Sequence, residues 1–155
     1  MDRAKILEII ESCEFFKGLD RSLVEQIADI CEIREYQPED AIFSQGDFGE
    51  HLYVIAEGHL MLERSMDMGT RKGSAVIGVL GKGRVLGCWS TLLGEPHNLM
   101  SSAVCRKPTT VLRIRGSELR RMMVSNPDLG FCLLERLCFL LRDRIQGAYG
   151  AMERL

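Results

Sequence analysis

Residues 45 to 58 read Gln45-Gly46-Asp47-Phe48-Gly49-Glu50-His51-Leu52-Tyr53-Val54-Ile55-Ala56-Glu57-Gly58. A polar turn holding two glycines leads into an unbroken apolar run, Leu52 to Ala56, and a second glycine turn closes it. Such a run between turn signals is a buried β-strand, too short for a core helix. The same pattern continues on both sides. Ala41-Ile42-Phe43-Ser44 precedes it as a short strand after the turn at Pro38-Glu39-Asp40. His59 to Arg64 alternates Leu60 and Leu62 against Met61 and Glu63. Met66 to Gly73 is polar and predicts a hairpin tip, and Ala75 to Leu80 the strand that returns from it. Leu99 to Cys105 and Thr109 to Ile114 predict two more strands. Short strands at this spacing predict a barrel or sandwich.

The period changes at either end of this β body. Ile6, Leu7, Ile9 and Ile10 lie on one helical face, and Asp20 or Ser22 is placed to cap a second short helix carrying Leu23, Val24, Ile27 and Ala28. After Gly116, Ser117 is positioned to cap a helix over Glu118 to Val124. Asn126-Pro127-Asp128 gives the favoured order of cap, proline and early acid for a last helix reaching about Glu153. At 1.5 Å per residue that helix is roughly 40 Å long. The expected organisation is one domain over residues 1–155, with helices over 1–31, a β-roll over 32–115 and helices over 117–155.

Composition narrows the function classes. The chain has 155 residues, 46% apolar and 27% charged, with a net charge of −2, which argues against nucleic acid or an anionic membrane as the main partner. Arg113, Arg115, Arg120 and Arg121 are locally basic, yet they read as a solvated face, so no DNA binding by this chain is expected. No apolar run approaches the roughly 18 residues of a membrane span. The six cysteines show neither CxxC nor zinc-ligand spacing, so the expectation is a reduced cytoplasmic protein without a metal. No carboxylate pair or nucleophile motif points to an enzyme.

Several of these segments together carry a resemblance. Gln45-Gly46-Asp47, the run Leu52 to Ile55, Glu57-Gly58, the entry turn Phe15-Phe16-Lys17-Gly18-Leu19 and the stretch Leu80-Gly81-Lys82-Gly83-Arg84-Val85-Leu86-Gly87 resemble the cyclic-nucleotide-binding domain family, the catabolite activator protein-like effector domains. The resemblance implies an α+β fold: an antiparallel double-stranded β-helix, or jelly roll, of about eight strands, flanked by short N-terminal helices and a long C-terminal helix. It also implies a phosphate-binding cassette after Gly87, where a family glutamate accepts from the ribose hydroxyl and a family arginine pairs with the cyclic phosphate.

The cassette departs from that pattern. Cys88 stands at the glutamate position, and Met100 or Asn98, depending on the direction of counting, at the arginine position. Loss of both groups weakens cyclic nucleotide binding by about 3–6 kcal/mol, a factor of about 10² to 10⁴. The expected ligand-binding residues are Gly87, Cys88, Trp89, Ser90, Thr91, Asn98, Met100, Ser101 and Ser102. Three readings stay open: a sensor that does not hold cAMP or cGMP in the usual pose, a genuine cAMP or cGMP regulatory domain, and a ligand-free interaction domain. Trp89 is either a core plug or a stacking platform. Cys88, His97, Met100 and Cys105 invite a haem or metal reading but lack ligand spacing, and a redox role for Cys88 would need a lowered pKa. On the last helix Leu133, Leu137, Leu140, Leu141, Ile145 and Ala148 recur at three- and four-residue steps, the expected interface of a homodimer.

Overall fold

Asp2 starts the first helix by accepting from the Lys5 N–H at 2.9 Å, the side-chain cap that an exposed amide at a helix start requires. In the computed structural model, residues 1–154 are described, apart from the side chains of Ser90 and Leu92. Helices α1 (Arg3–Ser12) and α2 (Arg21–Asp29) are followed by β1 (Cys31–Tyr36), β2 (Ala41–Phe43), β3 (Phe48–Gly49), β4 (His51–Glu57), β5 (His59–Asp67) and β6 (Lys72–Gly81). Then come β7 (Val85–Leu86), the short helix α3 (Trp89–Leu93), β8 (His97–Asn98), β9 (Ser102–Cys105) and β10 (Thr109–Arg115). Helices α4 (Gly116–Ser125) and α5 (Pro127–Glu153) end the chain.

The strands form two antiparallel four-stranded sheets, β1-β10-β4-β7 and β2-β9-β5-β6, and a two-stranded β3-β8 pair. Strand β4 explains why Leu52 to Ala56 carries no polar residue. Leu52, Val54 and Ala56 join the core shared with α1, α2, α4 and α5, while Tyr53 and Ile55 join the core of the roll with Leu60, Leu62 and Val111. A strand buried on both faces loses the polar half of its alternation.

The α+β jelly-roll class agrees with the sequence; the details differ, with ten strands among the described residues where about eight are expected and with Asp20 at the α2 cap position making no side-chain cap bond. The hairpin tip is shorter than the expected Met66 to Gly73, because Met66 pairs with Gly73 and Asp67 with Lys72. The strand expected from Leu99 begins at Ser102. Ser117 lies inside α4 rather than capping it; Arg115 occupies the cap position and makes no side-chain cap bond. Asn126 does cap α5, accepting from the Leu129 N–H at 3.2 Å, with Pro127 at the helix start.

Candidate functional site

A cavity of about 600 Å³ opens between the roll, α3 and the second half of α5. Its position follows from Gly87. There φ is +80°, and an added Cβ would collide with the His51 carbonyl oxygen, so only glycine lets the chain turn from β7 into α3 against β4. Immediately before it, Val85 is held from both sides: its N–H donates to Glu14 Oε1 at 2.9 Å, and its carbonyl accepts from Arg144 Nη2 at 2.6 Å. Glu14 also pairs with Arg84 at 2.8 Å. The strand that leads into the cassette is thus fastened to the N-terminal helical segment and to α5.

Helix α5 reaches the cavity because Gly147 lets it touch the sheet. A Cβ on Gly147 would drive into the Ile77 carbonyl of β6. That approach brings Leu141, Arg144, Ile145 and Ala148 to the cavity wall. Phe43, Leu62 and Ile77 from the roll also line it. Arg64 from β5 also lines the cavity, and its guanidinium donates to the Met100 carbonyl. No Asp or Glu lines it among the described residues.

Of the expected ligand residues, Gly87, Cys88, Trp89, Met100 and Ser101 line this cavity. Three others do not. Asn98 is exposed in β8, where it pairs with Phe48. The Ser102 hydroxyl accepts from the Gln45 N–H at 2.9 Å and so serves the turn before β3. Thr91 is fully buried, with its hydroxyl unpartnered among the described residues, and is not part of the wall. Ser90 also belongs to the expected set, and its side chain lies outside the described residues. Trp89 is half-buried and meets His97 edge-on, with ring centroids 6.4 Å apart.

Cys88 is buried, and burial pushes its thiol up to about 12, which leaves it protonated and a poor nucleophile. The redox reading of this residue therefore has no support. His97 lines the cavity with both ring nitrogens unpartnered among the described residues, and burial holds its pKa below the ordinary value, favouring the neutral ring. Among the described residues no three His, Cys, Asp or Glu side chains gather as a metal-holding set.

The residues expected at a homodimer interface divide differently. Leu133, Leu137 and Leu140 are buried in the chain's own core, and Leu141, Ile145 and Ala148 face the cavity. Of these six, only Ile145 is also strongly exposed. Sequence reasoning missed Arg64, His97 and Arg144 as cavity residues. The signal for two of them was available: Arg64 continues the inward alternation of Leu60 and Leu62, and Arg144 lies three residues after Leu141, on the same helical face.

The jelly roll thus carries one cavity bounded by the short helix α3 and the long C-terminal helix α5. The family model for the cyclic nucleotide-binding domain matches residues 33–126, and the chain belongs to that family. It is 26% identical over 139 residues to the cyclic nucleotide-gated channel beta-3 of Canis lupus familiaris, a match covering 89% of this chain and 17% of that protein. The chain therefore spans about a sixth of that relative's length. A cyclic nucleotide-binding domain from Methylobacillus flagellatus superposes with a TM-score of 0.76 at 22% identity, covering 96% of this chain and 80% of that one. A cAMP-bound mutant of the regulatory subunit of a cAMP-independent protein kinase A from Trypanosoma brucei superposes with a TM-score of 0.69 at 24% identity, covering 90% and 46%. These two likenesses carry the fold. No helix among the described residues is long and apolar enough to cross a membrane.

Proposed function

We propose that this chain is a ligand-sensing regulatory module that does not hold cAMP or cGMP in the usual pose of its family. The observation that carries this reading is the cavity wall: a buried, protonated Cys88 and the exposed Met100 stand at the positions where the family resemblance expects a carboxylate and a guanidinium. No carboxylate among the described residues lines the wall to receive a ribose hydroxyl. Isothermal titration with cAMP and with cGMP tests it. The expected result is no heat of binding at micromolar concentrations; saturable micromolar binding of either nucleotide overturns the proposal.

The reading of a ligand-free interaction domain is less well supported, because Met100 leaves the cavity open rather than filling it, at 57% exposure. The module is further proposed to act as a cytoplasmic homodimer. Its six cysteines are free thiols, which suits a reducing compartment. Pairing through α5 is supported by Phe131, Cys138, Ile145 and Met152, which recur every seventh residue and are all exposed. Such a repeat supplies one of the two positions per heptad that a two-helix coil uses. Arg113 and Arg115 are paired with Glu32 and Glu50, which weakens any case for a DNA-facing basic patch.

A further inference from the structure

Two cations line one apolar cavity whose described lining residues include no carboxylate. Arg64 and Arg144 each direct a guanidinium nitrogen to a backbone carbonyl, of Met100 and Val85 respectively. Neither stands in an ion pair with a carboxylate among the described residues, although a guanidinium carries five N–H donors and stays charged. Burial partly desolvates Arg144, and Glu14 and Asp143 lie near it without a salt bridge, so a bound anion relieves a cost there. The rest of the wall excludes a polar ligand body: Phe43, Leu62, Ile77, Leu86, Leu141 and Ile145 are hydrocarbon or aromatic. His97 also lines the cavity, with ring nitrogens that no described residue satisfies. A volume of about 600 Å³ suits a small organic molecule rather than a peptide.

We propose that the cavity binds a small organic anion with an apolar body, its charged head drawn to Arg64 and Arg144 and its body packed between the roll and α5. This deepens the reading above and rests on it. Trp89, the single tryptophan, lines the cavity and reports occupancy directly. The matched probes are anilinonaphthalene sulfonate and its uncharged counterpart phenylnaphthylamine, titrated against the full chain by quenching of Trp89 and energy transfer from it. The sulfonate is expected to bind about tenfold more tightly than the neutral probe. Arg64→Gln and Arg144→Gln should each remove most of that preference while leaving the neutral probe within about twofold, and Arg144→Lys should keep it. Thermal unfolding of each variant confirms that it folds; Arg64 is exposed, so its variant remains informative should the Arg144 variant not fold. Equal affinity for the two probes, a preference untouched by both glutamine variants, or sulfonate binding without a Trp89 response overturns the anion assignment. A parallel titration of cAMP through the same Trp89 signal separates the two failures: micromolar binding there overturns the proposed function, whatever the dyes do.

Discussion

Gly87 bears two demands at once, a left-handed backbone and the lack of a side chain against His51. Gly87→Ala violates both, and we expect it to lower unfolding free energy by about 2 kcal/mol, read as a lower urea midpoint at unchanged slope. His97 yields a pH prediction. Burial depresses its folded-state pKa below the ordinary 6.5, so the unfolded chain binds the proton more readily. Stability from this residue is complete above pH 6.5 and is lost as pH falls through the lower folded value. His51 shifts the same way, from burial first and then from Arg113, so the wild-type slope belongs to both rings. Comparison of thermal midpoints between pH 7.5 and pH 5 (about one unit or more on either side of a free imidazole) should show a smaller acid loss in His97→Gln. Gly87 and Cys88 were legible in the sequence because they sit beside a recognisable motif. Arg64 and Arg144 were half legible: their spacing from Leu62 and Leu141 puts them on one face with those residues, but which face turns to the cavity is set by partners far along the chain and is invisible in the sequence. The β5–β6 register shift beside Glu63, which skips Ile77, is equally invisible in an alternating pattern.

Among the elements, α5 shows most clearly what periodicity can and cannot say. Its apolar width was evident from Phe131 to Ala148, and so was the Asn126 cap. What the pattern left open was the assignment of faces. Three surfaces compete for one helix: the helical core takes Leu133, Leu137 and Leu140, the cavity takes Leu141 and Ala148, and the seven-residue stripe stays outside except that Ile145, itself exposed, also lines the cavity. Only the crossing of α5 over β6 divides them, and that crossing depends on Gly147 meeting the Ile77 carbonyl. Gly147→Val should force the two apart and cost about 1–3 kcal/mol in chemical denaturation. The same variant should weaken Trp89-detected sulfonate binding, because the α5 wall would retreat with the backbone.

At the scale of the whole molecule, the exposed stripe on α5 makes a covalent test of self-association available. In a parallel pair the two Cys138 thiols face each other across the seam, whereas Cys13, Cys88 and Cys105 are buried. Mild diamide, which takes up the two electrons released when the thiols join, should give a disulfide-linked dimer. Cys138→Ser should abolish it, and Phe131→Glu should weaken the non-covalent dimer in sedimentation velocity. A wild-type chain that sediments as a monomer at tens of micromolar would end the homodimer proposal.

The recognisable family segment stops at residue 126, yet Arg144 and its neighbours on α5 come later, and Glu14 comes earlier. A recombinant piece trimmed to the family boundaries would keep both sheets and lose the ceiling of the chamber together with the two fasteners on Val85. Affinities measured on such a trimmed piece would describe an open trough, and a null result obtained with it would carry no information about the intact chain.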